Sequence, residues 1–149
     1  MAILTIKGDE YEAKCSFAFE KLANEKYSKK DEKNNDMGGF MTIYMNLLEY
    51  SNDNLVAFWD CALKHQKKSV SIKDIEVALE ERIDEDGDTE KLFQEAFEAI
   101  DNAGFFKKRA SNFWRDLETL KSTGKDDAEK EANLKLYERL QSSRKELQG

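Results

Sequence analysis

Phe40-Met41-Thr42-Ile43-Tyr44-Met45-Asn46-Leu47-Leu48-Glu49-Tyr50 is apolar on nearly every side when wound as a helix. A surface helix carries one apolar stripe, whereas a helix that is apolar all round is stable only when other elements surround it. This segment therefore predicts a buried helix, and the rest of the chain is read by asking what can wrap it. Toward the N-terminus, Gly38-Gly39 ends a polar run, Ser28 to Asp36, that predicts a mobile loop. Before that run, Ser16 to about Lys26 carries Phe19, Leu22 and Ala23 at helical spacing. The first 14 residues alternate Leu4 and Ile6 with Thr5 and Lys7. Lys7 to Glu10 offers turn chemistry, and Tyr11 to Lys14 can return, which predicts a β-hairpin. A lone hairpin is marginal in water, so it must pack on the helices.

Toward the C-terminus, Ser51-Asn52-Asp53-Asn54 supplies capping residues, and Leu55, Phe58, Trp59 and Ala62 follow at helical spacing. Ser71 with Asp74 three residues on resembles a capping box ahead of the stripe Ile72, Ile75, Leu79 and Ile83. Asp84-Glu85-Asp86-Gly87-Asp88 breaks that stripe. Thr89 is placed to cap the next helix, with Leu92, Phe93, Ala96, Phe97 and Ile100 on one face. After Gly104 comes a stripe of Phe106, Ala110, Phe113, Leu117 and Leu120, with Trp114 beside it. Ser122-Thr123-Gly124-Lys125 reads as a linker to a last helix, about Asp127 to Leu147, with Ala132, Leu136, Leu140 and Leu147 as its apolar positions. Residues 1–120 hold 17 Lys/Arg against 25 Asp/Glu, while residues 121–149 hold 7 against 6. This shift marks residues 122–149 as a linker and appended amphipathic helix, expected to be detached in solution, and residues 1–121 as the domain. The expected fold is α+β and mostly α: an N-terminal β-hairpin packed on a bundle of about five to six helices, plus the C-terminal helix.

The 149 residues suffice for one core without metal or disulfide help. Two cysteines, Cys15 and Cys61, make no disulfide framework and predict reduced thiols. The N-terminal stretch lacks the apolar length of a signal peptide, and no run approaches the roughly 20 apolar residues of a membrane span, so no membrane role is expected. A net charge of −7 argues against direct nucleic-acid binding, for which the short Lys107-Lys108-Arg109 run is the best candidate patch.

Chemistry is sparse. The single histidine, His65, lies four residues after Cys61 and shares a helix face with it, but with Cys15 the only other strong ligand, no metal site is expected there. A calcium loop starting at Asp84 would place Asp86, Asp88 and Glu95 at positions 3, 5 and 12. However, Thr89 stands where the loop's sharp turn needs glycine, and acids capping a helix start explain the cluster as well. No catalytic residues and no cofactor are expected. What remains is aromatic and basic. Phe105, Phe106, Lys107, Lys108, Phe113 and Trp114, together with Trp59, are the candidate partner-binding residues, since aromatics and Arg are enriched at protein interfaces and this segment mixes large aromatics with bases. The same side chains could instead close the core or a contact between copies of the chain.

The order of these features resembles the tail assembly chaperone family of siphophages and prophages, mainly those of Gram-positive bacteria. The likeness is carried by Ile3-Leu4-Thr5-Ile6-Lys7-Gly8-Asp9-Glu10 leading to Phe17-Ala18-Phe19, then Leu55-Val56-Ala57-Phe58-Trp59. It continues through Ser71-Ile72-Lys73-Asp74-Ile75 to Leu92-Phe93-Gln94-Glu95-Ala96-Phe97 and Gly104-Phe105-Phe106-Lys107-Lys108. It covers roughly residues 1–122 and leaves the last helix outside. The resemblance implies a cytoplasmic, non-enzymatic protein of the bacterial host. Such a protein binds and solubilises the tape measure protein, helps recruit tail tube subunits, contacts further copies of itself along the client, and departs before the virion is complete. In many such phages the gene also yields a longer product by ribosomal frameshifting, and this chain would be the short one. The competing reading is an acidic helical adaptor that covers a basic protein partner.

Overall fold

The computed structural model describes residues 2–30 and 37–149; part of the polar run read as a loop, residues 31–36, lies outside the described residues. The chain opens with an antiparallel hairpin, β1 (Ile3–Ile6) and β2 (Asp9–Glu12), registered Ile3 to Glu12 and Ile6 to Asp9. Lys7 and Gly8 form its two-residue turn, both with positive φ (51° and 84°), the conformation whose twist matches the strands. Period-2 alternation then buries Leu4 and Ile6 and exposes Thr5 and Lys7.

Seven helices follow among the described residues: α1 (Phe17–Lys26), α2 (Gly39–Leu48), α3 (Asn52–Ala62), α4 (Ile72–Asp86), α5 (Glu90–Asp101), α6 (Lys107–Leu120) and α7 (Asp127–Gln148). The hairpin and helical bundle are those the sequence predicts. α2 is the buried element: Phe40, Ile43, Tyr44, Leu47 and Leu48 are essentially inaccessible, each worth about 1.5–3 kcal/mol of burial. α1, α3, α5 and α7 pack round it, and β1 lies on α4. An aromatic chain joins the layers. Phe58 meets Phe19, Phe19 meets Phe106, Phe106 stacks on Phe40 with centroids 4.2 Å apart, and Tyr44 stacks on Phe97 at 5.1 Å.

Local chemistry sets the helix ends. Ser16, Ser71 and Asp126 accept from the backbone N–H three residues on, as N-caps do. Asp74 turns outward to Lys7 (3.2 Å) and leaves the capping box one-sided. Gly39 permits a close approach of α1 and α2. A Cβ there would lie 1.9 Å from the Ala23 carbonyl oxygen, and the Gly39 N–H donates to Asn24 Oδ1 at 2.9 Å.

Three local expectations are corrected. The acidic run does not break α4 before Gly87: Asp84, Glu85 and Asp86 form its last turn, and Gly87 ends it in the left-handed conformation (φ 85°), with its N–H on the Ile83 carbonyl. Thr89 does not cap α5 through its side chain; Asp88 Oδ1 accepts from Glu90 N at 3.0 Å. α7 is not detached but docks against α2, α5 and α6, with Leu140 and Leu147 buried. Arg144 lies over the Trp114 ring at 4.5 Å, Gln148 Nε2 reaches Asp101 (3.3 Å), and Gln94 Nε2 reaches the Glu146 carbonyl (3.4 Å). Its stripe is thin, but Leu140 and Leu147 are two turns apart on one face, and the cation–π contact adds to them.

A candidate protein-docking surface

The aromatic residues singled out by sequence divide sharply. Trp59 lies in the core of α3, edge-on to Phe58, and its indole N–H has no acceptor among the described residues. Phe106 is wholly buried between Phe19 and Phe40. Trp114 is buried and donates its indole N–H to the Tyr44 hydroxyl (2.8 Å), whose own proton goes to Asp101 Oδ1 (2.7 Å). Burial, followed by the Asp101 hydrogen bond, raises the Tyr44 phenol above its ordinary range. Phe113 is half-buried, edge-on to Tyr44. One helical stripe cannot hold all four rings of this segment. Trp114 takes the inward position that the spacing gave to Phe113, because its N–H finds a buried partner.

Phe105 is left outside, 44% exposed, and it has a companion that the sequence reading missed. Phe17, at 68% the most exposed large apolar side chain among the described residues, meets it edge-to-face with centroids 4.7 Å apart. Phe17 is the first residue of α1, off the Phe19–Ala23 stripe, and nothing in its local sequence says that α6 begins beside it. The two helix starts are held together by an ion pair between Arg109 and Glu20. Arg109 also lies over the Phe40 and Phe106 rings, at 5.1 and 5.3 Å. Isolated exposed apolar side chains are ordinary, whereas exposed aromatics in contact mark interaction surfaces.

A separate groove of about 350 Å³ lies between the hairpin exit and α5; neither ring lines it. Ala13, Cys15, Ala99, Ala103 and Gly104 line it, with Lys14 and Glu98 among its polar edges. Cys15 Sγ donates weakly to the Ala99 carbonyl (3.6 Å), and burial pushes its thiol up to about 12, which keeps it protonated at neutral pH. Lys14 on this groove, Lys21 on α1 and Lys107 and Lys108 on α6 are exposed and take no ion pair among the described residues.

The acids of the calcium-loop alternative are spread over two helices and the turn between them. Asp84 and Asp86 belong to helix α4, Asp88 caps α5, and the Arg82 guanidinium sits between Asp86 (2.8 Å) and Glu95 (3.0 Å). That arrangement fills both carboxylates with a cation the chain already carries. Among the described residues, no cluster of three or more His, Cys, Asp or Glu is placed to hold a metal ion. His65 faces the Ala62 carbonyl through Nδ1 (2.9 Å) and Gln66 through Nε2 (3.0 Å), a helix-end arrangement rather than a pairing with Cys61.

A family model described as phage tail assembly chaperone protein, TAC, matches residues 3–115. The chain belongs to this family. The match runs from β1 into α6, so the chaperone's Phe17 and Phe105 both fall inside it, while α7 falls outside. The role of the family is non-catalytic, and its partners are phage tail proteins. No curated protein and no solved structure matched the chaperone. No helix among its described residues is long and apolar enough to cross a membrane.

Proposed function

We propose that this tail assembly chaperone works by binding the tape measure protein, keeping that long helical client soluble in the host cytoplasm, and helping to bring tail tube subunits to it. It does so without catalysis and leaves before the virion is complete. The observation that carries this reading is the exposed Phe17–Phe105 pair: in a chain whose other phenylalanines lie in or against the core, two aromatics are presented together at the surface. An amphipathic client helix presents large apolar side chains at i, i+3 and i+4, and such a pair can hold them. The acidic surface elsewhere keeps the complex soluble.

The test is co-expression of the tagged chain with the longest tail gene product of the same genome. Recovery of the long protein in soluble form, bound to the chain, is the expected result. A folded chain beside an insoluble, unbound client would favour an acidic adaptor for a basic partner, for which the exposed Glu76, Glu80, Glu81, Asp84 and Glu85 of α4 would be the surface.

A further inference from the structure

We propose that the cleft between α3 and α4 is a second docking surface, which takes an amphipathic helical segment of a partner protein whose apolar stripe is edged on both sides by lysine or arginine. This surface shares no residue with the Phe17–Phe105 pair and does not rest on the tape measure reading. α3 and α4 pack side by side and leave a cleft of about 260 Å³ between the start of α3 and the middle of α4. Its floor is aliphatic. Leu55 and Leu79 are buried, while Val56 and Ile83 are half-buried and reach the surface. Asp53 stands on the α3 wall, Glu76 and Glu80 stand on the α4 wall, and among the described residues the lining holds no base. All three acids are exposed, and none takes an ion pair among the described residues.

Asp53 favours the start of α3, as an acid in a first turn does. Glu76 and Glu80 serve their helix in no such way. They are one turn apart on α4, a like-charge i,i+4 pair that destabilises a helix. The bases of α4 do not relieve it. Arg82 is held by Asp86 and Glu95, and Lys73, one turn before Glu76, is matched in charge by Asp84, one turn beyond Glu80. Other acids of the same helix are paired within the chain, Asp74 with Lys7 and Asp86 with Arg82. An apolar strip with unpaired carboxylates on both walls selects its occupant by charge and by pattern. A helix seats its apolar stripe in such a cleft, and bases flanking that stripe reach Asp53 on one side and Glu76 and Glu80 on the other. An acidic helix or a nucleic acid is repelled from the same place.

The probes are three synthetic helical peptides of equal length. The first has a leucine stripe edged on both sides by lysines. The second has glutamates for the lysines, and the third keeps the lysines but has alanines for the leucines. Each is titrated into the intact chain and followed by backbone amide NMR shifts. The first should bind, move residues 53–56 and 76–83, and weaken with salt; the other two should bind about ten-fold more weakly or less. Glu76→Lys with Glu80→Lys should weaken the first peptide about ten-fold or more, whereas Glu131→Lys with Glu138→Lys, the same change of net charge on exposed positions of α7, should leave it unchanged. Glu76→Gln with Glu80→Gln should weaken binding without lowering the thermal midpoint, which separates a docking role from a structural one. Failure of the first peptide to bind, equal binding by the alanine peptide, equal loss in the α7 control or shifts centred elsewhere would overturn the proposal. So would the same shifts appearing on raising chain concentration alone, which would make a second copy the occupant.

Discussion

Replacing Tyr44 by Phe tests whether the centre of the bundle is held by a hydrogen-bond relay or by ring packing alone. The ring contacts survive the change, since stacking on Phe40 and Phe97 needs no hydroxyl. What is lost is the 2.7 Å bond to Asp101 and the acceptor for Trp114 Nε1 at 2.8 Å. A bond to a charged group is worth about 1.5–3 kcal/mol, and a buried N–H left without an acceptor costs about 1–3 kcal/mol. Relief from having to bury the hydroxyl offsets part of that. The net expectation is a loss of about 2–3 kcal/mol, which for a chain of this length lowers Tm by about 5–10 °C. Urea unfolding followed by near-UV circular dichroism gives the free energy, and calorimetry gives Tm. Adding Trp114→Phe should cost little more once the hydroxyl has gone, a coupling of about 1 kcal/mol in the double-mutant cycle. A Tyr44→Phe loss below about 0.5 kcal/mol, or full additivity with Trp114→Phe, would refute the relay.

Gly39→Ala should cost about 3 kcal/mol, because its Cβ meets the Ala23 backbone and a backbone cannot rotate away as a side chain can; chemical denaturation would read it, and a neutral result would mean that α1 and α2 pack less closely. Hydrogen exchange along α7 should be graded, fast through Asp127–Lys135 and slow around Leu140–Leu147, where the helix is seated; uniform exchange over the whole helix, fast or slow, would contradict the docking. Alkylation of Cys15 and Cys61 at pH 8 should be slow in the folded chain and rapid in urea, since burial raises both thiols. The same shift has a stability consequence. The folded Cys15 holds its proton to about 12, above the unfolded value near 9, so its contribution is complete below about pH 9 and is lost as pH rises toward 12; Tyr44 adds the same sign from about pH 10. Unchanged urea midpoints between pH 8.5 and 10.5 would show that neither group is as enclosed as the structure has it.

The elements that were legible in the sequence are those whose own period carries the information. The α5 stripe of Leu92, Phe93, Ala96, Phe97 and Ile100 is buried residue for residue, and α2 is surrounded because it has no polar face to show. Errors arose where a neighbour decides. Asp84 to Asp86 look like a break until Arg82 is seen to neutralise Asp86 from one turn away, with the real stop at Gly87. α7 looks too thin to dock until Trp114 is found under Arg144. The candidate surface was half legible. Phe105 stood out beside its lysines, while Phe17 could be found only from the meeting of α1 and α6, which no spacing within either helix encodes. Trp59, Phe106 and Trp114 looked equally suited to a partner, and burial takes all three out of reach.

The hairpin carries a consequence for the order in which the protein is made. β1 (Ile3–Ile6) leaves the ribosome well before the surface it rests on, which belongs to α4 (Ile72–Asp86). A two-stranded hairpin has little stability by itself, so Leu4 and Ile6 stay uncovered while α1, α2 and α3 are synthesised. The hairpin residues are thus among the last to settle. Closing that long loop is the slow, non-local step in a molecule otherwise built from local helical contacts. Until α4 emerges, the nascent chain presents an apolar β-edge of its own, and a protein whose role lies in the assembly of others begins its life needing the same protection.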